Sequence, residues 1–224
     1  MKLYSELAEH WQDFSPTHEY AEEAAFLAGL LRPARTVLEL GSGGGNVAWW
    51  LKSEFQMTLT DLSPEMLAMS ARQNPDCEHI QGDMRTLALD RKFDAVLMHD
   101  AVMYMTTLED LRAALSTAKR HADILVVAPD HLAETFQETT EHGGEGSLRW
   151  LEWVRASGEV VECDYILALL EEGGVRTVVD RHQVGIFPRQ TWIDLLAEGG
   201  WSVSALEDPT GEGRRLEVFR CVRS

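Results

Sequence analysis

The sequence predicts an α/β protein: a doubly wound, mostly parallel sheet, with an antiparallel β-meander inserted late in the chain. Three observations carry this. Short apolar runs alternate with helix-forming stretches between Thr36 and Ala128. The glycine-rich turn Gly41-Ser42-Gly43-Gly44-Gly45 joins the first run to the first helix of that series. After residue 147 the helix signal fades, and three long strand-like runs follow, broken at Ser157-Gly158 and Gly173-Gly174.

Residues Lys2 to Leu31 read as helical, interrupted at Ser15-Pro16-Thr17, which supplies cap candidates and a first-turn proline. The first strand is Thr36 to Leu40; a helix begins at Asn46 straight after the glycine turn. A second strand covers Gln56 to Thr60 and ends at Asp61. Ser63 and Pro64 cap and open the helix Glu65 to Gln73. Cys77 to Gln81 is a short third strand. Phe93 to Met98 is a nearly unbroken apolar run, as expected of a parallel strand covered on both faces. Thr107-Leu108-Glu109-Asp110 is a capping box in the broad sense and opens a helix to Lys119; a fifth strand is Asp123 to Ala128.

The meander strands are Leu148–Ala156, Val160–Leu170 and Val175–Phe187. In the middle one, Val161, Cys163, Tyr165 and Leu167 share a face, with Glu162 and Asp164 on the other. A helix from Arg189 to Glu198 stops at Gly199-Gly200. Two last strands, Trp201–Leu206 and Leu216–Val222, are joined by Asp208-Pro209-Thr210-Gly211. The expectation is one domain over 1–224, with a helical cap at 1–34 and an inserted sheet at 147–187.

Composition narrows the function. At 224 residues, 45% apolar and 25% charged, the chain can bury a substantial core. It has no apolar stretch of membrane-spanning length and no signal-peptide pattern, so a cytoplasmic location is expected, with no membrane partner. A net charge of −17 repels phosphate backbones and argues against nucleic acid; Lys119-Arg120-His121 and Arg214-Arg215 are short and isolated. Cys77, Cys163 and Cys221 are distant from one another and odd in number, which points to reduced core thiols and not to a disulfide or metal site.

The glycine turn alone fits any nucleotide-sized ligand, because glycine permits positive φ and close backbone approach. Glu39, just before the first glycine, separates the readings: Glu39-Leu40-Gly41-Ser42-Gly43-Gly44-Gly45 resembles the E-x-G-x-G-x-G signature of class I S-adenosylmethionine (SAM) methyltransferases. Asp61 at the end of strand two and Gly82-Asp83-Met84 after strand three follow in that family's order. The resemblance covers residues 35 to 130 and extends more weakly to both ends. It implies a Rossmann-like, seven-stranded sheet whose last strand runs antiparallel between the fifth and sixth. It also implies SAM as cofactor, with S-adenosylhomocysteine (SAH) as product.

Residue by residue, the resemblance places Gly41, Ser42 and Gly43 at the methionine moiety, with Glu39 orienting the loop through its N–H groups. Asp61 would accept the ribose hydroxyls, and Leu62 and Met66 would pack on the adenine. Asp83 would meet the exocyclic amine and the Met84 N–H a ring nitrogen. Tyr20 and Tyr104 would present hydroxyls or ring faces to the sulfonium or the acceptor. His99, at the end of strand four, would stand beside the sulfonium.

The later half, with Pro129-Asp130-His131 and Asp180-Arg181-His182 leading to Ile186-Phe187, is similar to bacterial amino-sugar N-methyltransferases and, more distantly, glycine N-methyltransferases. In those the meander roofs the acceptor pocket and contributes to dimer contacts, so a small-molecule acceptor and a homodimer are expected. Nitrogen is favoured over oxygen or carbon. No amide-methylating box follows strand four, which again argues against nucleic-acid bases. His99, His131, His142 and His182 each offer a proton acceptor near neutral pH, with His99, Tyr104, His131 and His182 as catalytic candidates and no metal. Trp49, Trp50, Trp150 and Trp153 read as packing residues. Two alternatives stay open at this point: an NAD(P)-linked oxidoreductase and a non-catalytic SAM-binding protein.

Overall fold

The computed structural model describes residues 1–158, 160–210 and 216–223. Gly211 of the expected last turn and the Arg214-Arg215 pair lie outside them. In chain order the strands are β1 (Thr36–Leu40), β2 (Gln56–Asp61), β3 (Glu78–Gln81), β4 (Ala95–His99), β5 (Ile124–Ala128), β6 (Thr139–Gly143), β7 (Leu148–Ser157), β8 (Val160–Glu171), β9 (Gly174–Gly185), β10 (Trp201–Asp208) and β11 (Leu216–Arg223). The helices are α1 (Trp11–Phe14), α2 (Ala21–Leu31), α3 (Asn46–Leu51), α4 (Pro64–Gln73), α5 (Leu108–His121) and α6 (Arg189–Glu198).

Seven strands form one sheet in the order β10-β11-β5-β4-β1-β2-β3. β11 runs antiparallel to both β5 and β10, and the pairs from β5 to β3 are parallel. The apolar runs of the central strands follow from burial on both faces. Leu38, Val96, Met98, Leu125 and Val127 enter one core layer, while Val37, Ala95, Leu97, Val126 and Ala128 enter the other. Each Val, Leu or Met among them contributes roughly 1.5–3 kcal/mol of burial. Glu39 lies on the face of Val37, inside the second layer, and is 2% exposed.

Local signals hold at the helix starts. The Ser63 hydroxyl accepts from Met66 N–H at 3.1 Å, with Pro64 in the first turn of α4. Thr107 Oγ1 accepts from Asp110 N–H at 3.1 Å at the start of α5. Gly200 takes φ 84° after α6.

A second, four-stranded antiparallel sheet has the order β6-β7-β8-β9. Its middle strand keeps the expected faces: Val161, Cys163 and Leu167 are buried, and Ile166 is 37% exposed. The additional strand is β6, which sequence reading missed. Thr139-Thr140-Glu141-His142-Gly143 carries little apolar signal because it is an edge strand, largely exposed and paired to β7.

The N-terminal 31 residues are less helical than expected. A 3-10 turn at Ala8–His10, α1, a second 3-10 turn at Thr17–Tyr20 and α2 replace one interrupted helix. Tertiary packing decides this: Leu3 and Leu7 are buried against Leu148, Leu167, Leu169 and Val178 of the second sheet. Leu3 N–H donates to Asp180 Oδ2 at 2.8 Å, which fixes the segment as a strap across both sheets.

Candidate active site

A cavity of about 910 Å³ opens between the two sheets. The loops after β1, β2, β3, β4 and β5 line one wall, the inner face of the second sheet lines the other, and the N-terminal strap closes one side. Ligands sit at the carboxyl ends of strands in open α/β sheets, and this volume suits a cofactor with a small acceptor.

The glycine turn shapes the first wall. Gly41, Gly43 and Gly45 have φ of 82°, 52° and 80°. A Cβ on Gly41 would stand 2.4 Å from the Ala101 Cβ, so only glycine fits. Gly41 and Ser42 N–H donate to Thr60 O at 2.8 and 2.9 Å. Gly43 N–H donates to Asp61 Oδ2 at 2.8 Å, and Ser63 N–H to Oδ1 at 2.9 Å. Burial pushes the Asp61 carboxyl up, against the backbone N–H groups that favour its charge. Each of its oxygens keeps a second lone pair for a diol.

The loop-orienting role expected of Glu39 is corrected here. Thr60 and Asp61 hold the loop N–H groups, and Glu39 Oε2 is buried without a hydrogen-bond partner. Burial pushes this carboxyl up to about 7, with nearby His99 opposing. Ser42 Oγ, Trp11 Nε1 and Trp150 Nε1 are likewise buried without partners, and all four side chains line the cavity. A cluster of unsatisfied polar atoms in one cavity fits a polar ligand with both donors and acceptors. Trp11 also covers the glycine turn: a Cβ on Gly44 would stand 2.2 Å from its ring.

At the far end of this wall, Leu62 is 61% exposed and Met66 1%, and both line the cavity with Asp83 and Met84. Asp83 is not free to serve a base alone. The Arg85 guanidinium contacts it at 2.6 Å and holds it below the usual carboxylate range, while also reaching Asp110 at 2.9 Å.

The structure separates the histidines by role. His99 Nε2 lies 2.9 Å from Glu23 Oε1 and 3.0 Å from Asp100 Oδ1. Burial opposes its charge, but Asp100 and Glu23 overcome this and raise its pKa to about 10. The two carboxylates favour its imidazolium form. The three side chains bring metal-capable atoms within 4.8 Å of one another, in the arrangement of a cation held by two carboxylates. His142 is exposed on β6, next to Glu141, which faces the cavity. His131 lines the cavity, edge-on to Phe136 at 5.4 Å.

His182 stands behind Tyr104, 1% exposed. Its Nε2 is 3.0 Å from Asp180 Oδ2, and its Nδ1 is 2.9 Å from Tyr104 Oη. Burial keeps the imidazole neutral against the pull of Asp180. Burial opposes the charge of Asp180 too, but Leu3 N–H and His182 outweigh it and hold the carboxyl below its usual range. The Nε2–H therefore donates to Asp180, and Nδ1 accepts the Tyr104 hydroxyl. Tyr4 Oη lies 2.8 Å from Tyr104 Oη and donates to it, so the Tyr104 oxygen keeps a lone pair toward the cavity. Tyr20 Oη is bonded to Ser15 Oγ at 2.6 Å, edge-on to His99.

Sequence reasoning gave no site role to Tyr4, Trp11, Asp100, Asp130, Glu141 and Glu152, all of which line the cavity. Trp150, read as a packing residue, lines it too; Trp49, Trp50 and Trp153 are 43%, 40% and 38% exposed. The one available signal was the repeated placement of acids just after strands, at Asp100 and Asp130.

Residues 37–123 match the Methyltransferase domain family. The chain is 31% identical over 212 residues to the dTDP-3-amino-3,4,6-trideoxy-alpha-D-glucopyranose N,N-dimethyltransferase of Streptomyces venezuelae, covering 87% of this chain and 89% of that one. The crystal structure of Streptomyces venezuelae DesVI superposes with a TM-score of 0.86 at 26% identity, over 97% of this chain and 98% of that one. SAM-bound CalS10, an amino pentose methyltransferase from Micromonospora echinaspora, shares the fold at 24% identity and a TM-score of 0.79, over 92% of each chain. The oxidoreductase alternative is not favoured by these likenesses.

Proposed function

The chain belongs to the class I SAM-dependent methyltransferases and methylates nitrogen on a small molecule, and from that premise we propose that its acceptor is the amine of a nucleotide-linked amino sugar. One observation carries the reading: a relative that acts on such an amine matches this chain at 31% identity over nearly the whole length of both. The second sheet, roofing the cavity opposite the glycine turn, supports it.

When bound, SAM supplies an electrophilic methyl on a cationic sulfur. The chain's own residues do the rest. Of the residues that line the cavity, Gly41, Ser42, Gly43, Glu39, Tyr20 and His99 would hold the methionine end of SAM, Asp61 its ribose hydroxyls, and Leu62, Met66, Asp83 and Met84 its adenine. On the acceptor side Tyr104, steered by His182 and Asp180, aims an oxygen lone pair at the amine, and His131 faces the same space. Orientation of a neutral nitrogen and exclusion of water supply most of the acceleration.

The protein works as a homodimer in the cytoplasm. An exposed apolar stripe on the outer face of the second sheet supports the dimer: Ile166 pairs with Val179 and Leu170 with Val175, all 37–68% exposed. Three free thiols fit a reducing compartment. Light scattering at micromolar concentration checks the assembly, and a monomer would refute it. The acceptor is tested by incubating the protein with SAM and dTDP-3-amino-3,4,6-trideoxyglucose and following SAH release with the sugar's mass. Methylated sugar supports the reading; SAH binding without turnover of this amine overturns it.

A further inference from the structure

We propose that Asp100 and Asp130 form a proton-sharing carboxyl pair that accepts the proton of the acceptor amine. The proposal rests on the reading of this site as an amine N-methyltransferase.

Methyl transfer needs a free lone pair, yet an alkyl amine near neutral pH is mostly an ammonium, as the lysine value of about 10.4 shows. Two of the histidines at the site are engaged elsewhere: His99 Nε2 with Glu23 and Asp100, and His182 on both ring nitrogens with Tyr104 and Asp180; His131, the third, adjoins Asp130 in the chain and lines the same cavity. The carboxyl pair is placed for it. Asp130 follows β5, which pairs with β4 through His99 and Ala128, so the two acids leave adjacent strands side by side. Their carboxyl groups hydrogen-bond to each other, and both line the cavity.

Asp100 is held there at a backbone cost. Among the described residues it is the one non-glycine with positive φ, at 43° with ψ −56°. Such a conformation is strained and persists where the surroundings over-determine it. Here its N–H donates to Ala128 O at 3.0 Å, and its carbonyl accepts from Met103 N–H at 2.8 Å. The groups facing the pair are Glu23 from α2, His99 from β4, Tyr4 and Tyr20 from the N-terminal region and Cys163 from β8. In the same cavity Glu39 Oε2 is buried without a partner, so the site is built to meet a donor. Two carboxyls in mutual contact repel as a pair of anions, which favours one proton held between them. Burial, Asp130 and Glu23 push Asp100 upward, with His99 opposing.

The step balances. The acceptor ammonium gives one N–H proton to the pair, which passes from one negative charge to none. The freed nitrogen pair forms the N–C bond while the methyl C–S bond breaks, its electrons going to sulfur to leave the thioether. The secondary ammonium then gives its proton to solvent through the same pair.

The test compares wild type with Asp100→Asn and Asp130→Asn, using SAM and dTDP-3-amino-3,4,6-trideoxyglucose. Each variant is expected to lose roughly 100-fold in kcat, with SAH affinity by calorimetry unchanged. The rising limb of its pH profile should move to higher pH, toward the ionisation of the amine itself. Weakened SAH binding with an unmoved limb would overturn the proposal, because the acids would then serve the cofactor. Infrared difference spectra of the SAH-bound protein supply a readout independent of the acceptor. A protonated carboxyl band at neutral pH, lost in either variant, is expected; its absence overturns the pair. A wild type inert on this sugar refutes the acceptor reading, and the infrared result still decides the pair.

Discussion

The two walls of the cavity are built differently. On the cofactor wall, Gly43 and Asp61 are 18 residues apart and Asp61 and Ser63 only two, and the bonds run through backbone N–H groups. On the acceptor wall, Tyr4 and Tyr104 are 100 residues apart, Tyr104 and His182 78, and Leu3 and Asp180 177, and side chains make most of the bonds. One wall is a local motif that carries its own geometry. The other exists only once the strap, the β4 end and the second sheet have met. On the proposed reading the local motif binds the cofactor whatever the acceptor is, which assigns specificity to the assembled wall.

Five substitutions test the walls, from the largest expected effect to the smallest. Gly41→Ala attacks the local wall where it cannot yield, since φ is 82° and the new Cβ would meet Ala101. SAH affinity should fall by about 3 kcal/mol or more. Unchanged calorimetric binding would show that the loop tolerates a side chain.

Tyr104→Phe and His182→Gln attack the assembled wall. Each should lower kcat by roughly 100-fold and leave SAH affinity intact. A parallel loss of SAH binding would mean that the two walls are not separable in this way.

Asp61→Ala removes two ribose acceptors and one anchor of the turn. A loss of about 1–3 kcal/mol in SAH affinity is expected, and equal affinity would refute the ribose assignment.

Glu39 tests what the cofactor wall costs the fold. Its folded pKa, about 7, lies above the ordinary carboxylate value. Its contribution to stability is therefore present below that ordinary value and is lost as pH rises through about 7. Glu39→Gln should remove this loss, raising stability above pH 7 by on the order of 1–3 kcal/mol while weakening SAH binding. Thermal melts across pH 5–9, against the parent, measure it; identical pH dependence in both proteins would sink the assignment.

His99 shows why part of the site escaped sequence reading. A histidine at the end of a strand reads as a neutral-pH base. Its real state depends on Glu23, 76 residues earlier, and on Asp100, whose carboxyl is aimed by a backbone conformation that no residue type announces. Glu39 shows the same in reverse. Its place in the motif was legible, but its partners were not, because Thr60 and Asp61 had already taken the loop N–H groups. The edge strand β6 and the strap were hidden because polar edge strands and short 3-10 turns leave weak periodicity.

The sheet's seven strands and antiparallel last strand came from the family resemblance, while the sequence by itself determined the alternating strands and helices, the helix caps and the glycine turn. These depend on neighbouring residues: apolar runs, glycines that permit positive φ, and caps that bond within three positions. Tertiary structure alone decided which of the histidines carries charge, which tyrosine oxygen keeps a lone pair for the cavity, and which two acids meet beside it. Those properties belong to side chains brought together from distant parts of the chain, and ionisation follows the burial and charges around a group more than the identity of the residue.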